Sequence, residues 1–172
     1  GFCLVGSEMC IRDSLKNATL INDKSVFHNK KVDILIENGL LSKIDNNIDV
    51  DANQLINLEE LYVSSGWFDP NISVGEPGFE ERETLENGLL TAAKSGFTHV
   101  LLNPNTNPKI STLADVNHLI QSTLSQTTKL HVSAVLSEKK YGEKMASLYD
   151  MHIAGAKAFG NFNETIINPN EL

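Results

Sequence analysis

The sequence predicts an α/β fold: the N-terminal part of a (β/α)8 TIM-like barrel, preceded by a small antiparallel β unit. Two observations carry this expectation. Short apolar runs broken by polar turns fill the chain to Val63, and after Gly66 strand-like and helix-like segments alternate. Alternation of that kind points to a parallel sheet with crossover helices.

The first fourteen residues are set aside. The run Cys3–Ser14 reads as the translation of a sequencing adapter, so residues 1–14 are expected to be artefactual read-through. Both cysteines leave with them, and no disulfide framework or cysteine-based zinc site remains. Glu8, Arg12 and Asp13 also leave, so 20 acidic residues face 13 basic ones. A mildly acidic, cysteine-free chain suits the cytoplasm. It lacks the clustered Lys and Arg of a nucleic-acid surface. No apolar run approaches the roughly 20 residues of a membrane helix, so no membrane partner is expected.

Residues 15–64 read as strands over Leu15–Ile21, Val32–Glu37, Leu40–Ile44 and Gln54–Leu58, running into Leu61–Val63. Asn38-Gly39 between two apolar runs signals a tight hairpin. An ordinary structural sheet without a site of its own, a small β-sandwich part, is expected here.

Residues 65–172 carry the alternation. A strand over 67–74 places Asn71 and Ser73 on one face, because side chains alternate with period two. A helix follows over Phe79–Ser95, with Leu85, Leu89, Ala92 and Ala93 on one stripe, ending at Gly96. Its acidic run Glu80, Glu81, Glu83 and Glu86 suits a helix N-terminus. Phe97–Leu102 is an apolar strand, expected to be buried on both faces, including His99. Thr112 and Asp115 form a candidate capping box for a helix bearing Leu113, Val116, Ile120 and Leu124. A strand over Lys129–Leu136 and a helix over Glu143–Ala154 come next. That helix groups Met145, Leu148, Tyr149 and Ile153 and stops at Gly155, before a last strand over Ala156–Phe159.

Four strand and three helix segments amount to roughly half of a (β/α)8 barrel. The alternative is a complete doubly wound domain of four strands. In a barrel the active groups sit where strands end, here at 71–75, 103–108, 137–140 and 160–164. None of the five histidines shares a metal-ligand spacing with another. No nucleophile elbow or phosphate loop is present.

The stretch Gly66-Trp-Phe-Asp-Pro-Asn-Ile-Ser-Val-Gly-Glu-Pro-Gly78 resembles the opening motif of the dihydroorotases, metal-dependent cyclic amide hydrolases of the amidohydrolase superfamily. Gly66, Asp69, Glu76, Pro77 and Gly78 match its frame. The resemblance implies a His-x-His metal pair where Asn71 and Ser73 stand, and a substrate-clamping Arg where Gly75 stands. Pro104-Asn105-Thr106-Asn107-Pro108 resembles the family's Pro-Asn-Thr-x-Pro element, which implies that Asn105 is a substrate contact. After Ala158-Phe159 the family carries a metal-ligating Asp; here Gly160-Asn161-Phe162-Asn163 follows, so Asn161 is a third degenerate position. Lys157 stands near, but before, the position of the carbamylated lysine of other superfamily members.

The resemblance therefore implies a role in pyrimidine biosynthesis. Active members use a binuclear zinc site, whose hydroxide attacks a ring amide carbon while an Asp from a late strand shuttles the proton. With three ligand positions and the Arg replaced, no catalytic residue, no bound metal and no cofactor are expected in this chain. The expected role is that of a structural companion, with aspartate carbamoyltransferase as partner by family resemblance, or a homo-oligomer. The alternative is an active zinc-dependent cyclic amidohydrolase that draws its ligands from beyond residue 172.

Half a barrel leaves open sheet edges and uncovered apolar surface. Residues 15–172 expressed alone should associate or fold poorly, measured by sedimentation and urea unfolding. A sharp monomeric transition would overturn this expectation.

Overall fold

A computed structural model describes residues 11–137 and 144–165, in two compact units divided between Ser65 and Gly66. Among the described residues no helix is long and apolar enough to cross a membrane.

The first unit is one five-stranded sheet built from β1 (Arg12–Ile21), β2 (Lys31–Glu37), β3 (Leu40–Asp45), β4 (Gln54–Asn57) and β5 (Tyr62–Ser64). The order is β3-β2-β1-β4, with β5 also on β1. The meander β1-β2-β3 is antiparallel, as the sequence predicts. Asn38 and Gly39 both take positive φ (53° and 76°), the backbone that a two-residue hairpin turn requires. By contrast, β4 and β5 join β1 in parallel, so the sheet is mixed. Strand patterning identifies such elements but carries no direction; β4 runs along Asp13–Lys16 and β5 continues the same way along Thr19–Ile21.

Strand β1 begins earlier than expected. Arg12, Asp13 and Ser14 pair with Glu37, Ile36 and Leu35, Ser14 is 1% exposed, and Arg12 Nε lies 2.9 Å from Glu37 Oε1. Ladder bonds are made by backbone groups, so a strand extends through whatever residues precede it.

Ala18, Leu20, Val32 and Ile34 form the small core of this sheet. Beside it lies a buried carboxylate. Asp33 accepts from Lys16 Nζ (2.7 Å), from the Ile48 N–H (2.9 Å) and from the Asn17 N–H (3.0 Å). Asn17 sits at a bulge in β1 with φ of 54°, which turns its N–H toward the carboxylate. Burial pushes the Asp33 pKa up, but the Lys16, Ile48 and Asn17 hydrogen bonds together hold it below the ordinary 3.8.

The second unit contains β6 (Trp67–Ile72), α1 (Leu85–Lys94), β7 (Phe97–Leu102), α2 (Leu113–Ser122), β8 (Lys129–Ala134), α3 (Leu148–Ala154) and β9 (Ala158–Phe159). The strands lie in chain order, all parallel, as in successive repeats of a β/α barrel. Val100, Leu102, Val132 and Ala134 are fully buried against Leu89 of α1, Val116 of α2 and Met151 of α3. The predicted capping box at Thr112 and Asp115 is formed.

Three details differ from the sequence reading. Helix α1 starts after Thr84, whose hydroxyl accepts from the Asn87 N–H, and not at Phe79. Residues 76–84 are a folded loop, in which the Glu80 carboxylate is held below its usual pKa by the Gly78 N–H. Only Glu86 of the acidic run lies in the first turn. Helix α3 starts at Leu148, and the expected start at Glu143 lies outside the described residues. It buries Met151 and leaves Tyr149 and Ile153 75% and 65% exposed, because the 148/151 stripe faces the sheet. His99 is exposed, not buried, because β7 packs helices on one face only.

Replacing Asp33 with Asn leaves Lys16 without its anion and should lower stability by about 2 kcal/mol, the scale of a charge-assisted hydrogen bond. The folded-state pKa is depressed, so in the native chain this contribution is present above pH 3.8 and is lost as pH falls below it. Urea unfolding of both forms at neutral and acid pH measures it.

Candidate functional site

The site expected from the sequence lies where β6 and β7 end. Val74 is buried and Ile72 packs on the core, which turns Asn71 and Ser73 to the other side. Asn103 follows Leu102 of β7 and is only 9% exposed. Its Nδ2 donates to Asn71 Oδ1 at 2.7 Å and to Ser73 Oγ at 3.1 Å. Its N–H donates to the Ile72 carbonyl at 2.9 Å, which extends the ladder by one rung. The two positions are therefore joined by a third residue that the sequence reading passed over. A signal for it existed: 99, 101 and 103 share one face of the strand by period two.

Four frame residues of the first motif, Asp69, Glu76, Pro77 and Gly78, meet backbone groups. Asp69 Oδ1 accepts from the Asn71 N–H at 2.9 Å. Glu76 Oε2 accepts from the Leu85 N–H at 2.7 Å and so caps α1. The Pro77 carbonyl accepts from the Asn107 N–H at 2.9 Å. Gly78 has φ of 98°, and a Cβ on it would lie 1.9 Å from the Asn107 carbonyl oxygen. The two sequence motifs are thus pressed together, backbone on backbone.

Gly75 is enclosed in the same way. Its N–H donates to the Glu83 carbonyl at 3.0 Å and its carbonyl accepts from the Phe79 N–H at 2.8 Å. An added Cβ would stand 1.9 Å from the Phe79 carbonyl oxygen. No side chain fits at position 75 on this backbone, so the Arg that the resemblance implies has no room there.

Asn105 is half-buried and lines a cavity of about 430 Å³ with Phe79, Lys109, Asn161 and Phe162. Its Oδ1 is buried without a hydrogen-bond partner among the described residues. Lys109 is paired with Glu164, which also lines the cavity. Asn161 is a structural clamp. Its Oδ1 accepts from the N–H groups of Leu136 (3.0 Å) and Ser137 (3.1 Å), and its Nδ2 donates to Ser137 Oγ at 2.6 Å. Lys157 is exposed and its N–H donates to the Val132 carbonyl.

Zinc prefers imidazole, thiolate and carboxylate donors. At positions 71, 73 and 161 the donors are neutral oxygens, each already engaged in a hydrogen bond. Among the described residues no group of three or more His, Cys, Asp or Glu side chains is placed to hold a metal ion. The described residues at these positions do not fit a zinc centre.

A family model described as dihydro-orotase-like matches residues 62–168. The chain belongs to the dihydro-orotase-like family. A dihydroorotase from Aquifex aeolicus (strain VF5) is 33% identical over 146 residues, 84% of this chain and 34% of that protein. One from Caldanaerobacter subterraneus subsp. tengcongensis is 35% identical over 134 residues, 77% of this chain and 31% of that protein. The chain thus spans about a third of the length of these dihydroorotases.

Among solved structures, an L-hydantoinase (dihydropyrimidinase) from Arthrobacter aurescens superposes with a TM-score of 0.71 at 22% identity, covering 88% of this chain and 32% of that one. A dihydroorotase crystal structure gives 0.59 at 11% identity, covering 86% and 41%. The fold is that of the amidohydrolase barrel, represented by its N-terminal β unit and its first β/α repeats.

Gly75→Ala tests the enclosure of this position with a single methyl group. The carbonyl it meets is backbone, so a loss of about 2 kcal/mol is expected, at the scale of overpacking. Gly75→Arg should lose at least as much. Denaturant unfolding of the full-length protein measures both.

Proposed function

We propose that this chain is part of a dihydroorotase-like protein that has lost ring-opening catalysis and serves as a structural companion of an enzyme of pyrimidine biosynthesis in the cytoplasm. The carrying observation is the Asn103 amide, whose single nitrogen donates to both Asn71 and Ser73. The positions that would present two imidazoles to a metal instead form a closed, neutral hydrogen-bonded set. The enclosure of Gly75 supports the same reading, since a bidentate guanidinium is among the strongest ways to hold a carboxylate and glycine offers no substitute.

The partner we propose is an aspartate carbamoyltransferase, which produces the carbamoyl aspartate that a dihydroorotase cyclises. This choice rests on family resemblance. A homo-oligomer is the alternative assembly.

A second reading is favoured by one feature. The Pro104-Asn105-Thr106-Asn107-Pro108 element is intact and Asn105 lines a cavity, as a working dihydroorotase would need. On that reading the metal ligands come from elsewhere in the protein. Three replaced first-strand and fourth-strand positions weigh against it, because zinc affinity is shared across the ligand set, on the order of 10 kcal/mol or more in total for structural sites.

The full-length protein decides between them. Bound zinc is measured by elemental analysis, and ring closure of carbamoyl aspartate with loss of water is assayed with and without chelator. Substoichiometric zinc, no chelator-sensitive turnover, and co-sedimentation with the carbamoyltransferase are expected. Stoichiometric zinc with turnover abolished by chelator would establish the second reading.

A further inference from the structure

Outside the site, the fold joins two histidines that lie 32 positions apart in sequence. His99 of β7 and His131 of β8 stand on the sheet face opposite the buried Val100, Leu102, Leu130 and Val132. His99 pairs with Lys129 and His131 with Leu101, so the two imidazoles are diagonal neighbours across parallel strands. His99 Nδ1 is 3.0 Å from His131 Nε2. The rings lie 14° from parallel with centroids 5.2 Å apart. Phe68 of β6 meets His131 edge-on, its centroid 6.0 Å away and its plane at 89°.

A contact of this length between two ring nitrogens is an N–H···N hydrogen bond: one nitrogen donates and the other must be bare. A metal ion is a poorer occupant of the pair. Among the described residues no third ligand joins these two, and Lys129 and Lys157 add positive charge near His131. The groups facing His131 are Phe68 from β6, His99 from β7, Lys129 from its own strand and Lys157 ahead of β9; the charged ones are all cationic.

We propose that His99 and His131 form a proton-responsive latch between β7 and β8, closed while the pair shares at most one extra proton and sprung when both imidazoles are charged. In the doubly protonated pair an N–H faces an N–H across the same gap, and two positive charges meet where a hydrogen bond had been. The rings then separate and Phe68 loses its edge contact. Burial is the largest cause holding the His131 pKa below its ordinary 6.5, followed by His99, Lys129 and Lys157. The unfolded chain therefore binds more protons than the folded one, so stability falls as pH drops below 6.5. The latch is independent of whether the protein catalyses.

Histidine-selective NMR of the full-length protein, titrated from about pH 8 to about pH 4.5 across the normal histidine range, tests it. His131 should titrate below its ordinary 6.5. His99→Gln should move the His131 midpoint to higher pH, and the double variant should show a smaller loss of urea resistance on acidification. An ordinary His131 midpoint that His99→Gln leaves unmoved would overturn the proposal. If a variant fails to fold, the native curves decide alone.

Discussion

A strand packed by helices on one side has no choice about its other side. In β7 and β8 the residues Val100, Leu102, Leu130, Val132 and Ala134 are all buried beneath helices, and burying each Val or Leu contributes roughly 1.5–3 kcal/mol. A slip of one residue would exchange that set for His99, Leu101, Asn103, His131 and Ser133. This register sets both polar assemblies in the unit. It carries Asn103 to Asn71 and Ser73 at the strand ends, and His99 to His131 lower on the same face.

The loops above the sheet are held by a second constraint, close approach of backbone. Gly75 under Phe79 and Gly78 against Asn107 leave no room for a Cβ. The motif residues around them are structural: Glu76 caps α1, and Pro77 accepts from Asn107. These residues hold loops and a helix in place through backbone contacts, whereas Asn71, Ser73 and Asn161 hydrogen-bond through their side chains. The dihydro-orotase-like family assignment therefore speaks for the fold, and the chemistry must be argued separately.

Legibility followed the range of the interaction. The span of β7, the Asn38-Gly39 turn and the capping box at Thr112 are set by neighbours in sequence and were read correctly. The start of α1 differs from the expectation because the acidic, helix-compatible run 79–84 is held in a loop by Gly75, which bonds to Phe79 and Glu83. In α3 two stripes were available, and packing against the sheet chose the one containing Met151. The clamp role of Asn161 rests on Leu136 and Ser137, 25 and 24 positions away, and no local pattern announces it.

By itself the sequence determined the order and kind of the elements, the family, and that Asn71, Ser73, Gly75 and Asn161 bring no imidazole, carboxylate or guanidinium, because these depend on residue identity and on spacing within a few residues. Only the tertiary structure decided what those positions do now. The Asn103 bridge, the approach of Gly78 to Asn107, the parallel placement of β4 and β5 and the His99–His131 contact all join residues distant in the chain. Their energies depend on a separation in space that register and packing set, and that spacing along the sequence does not encode.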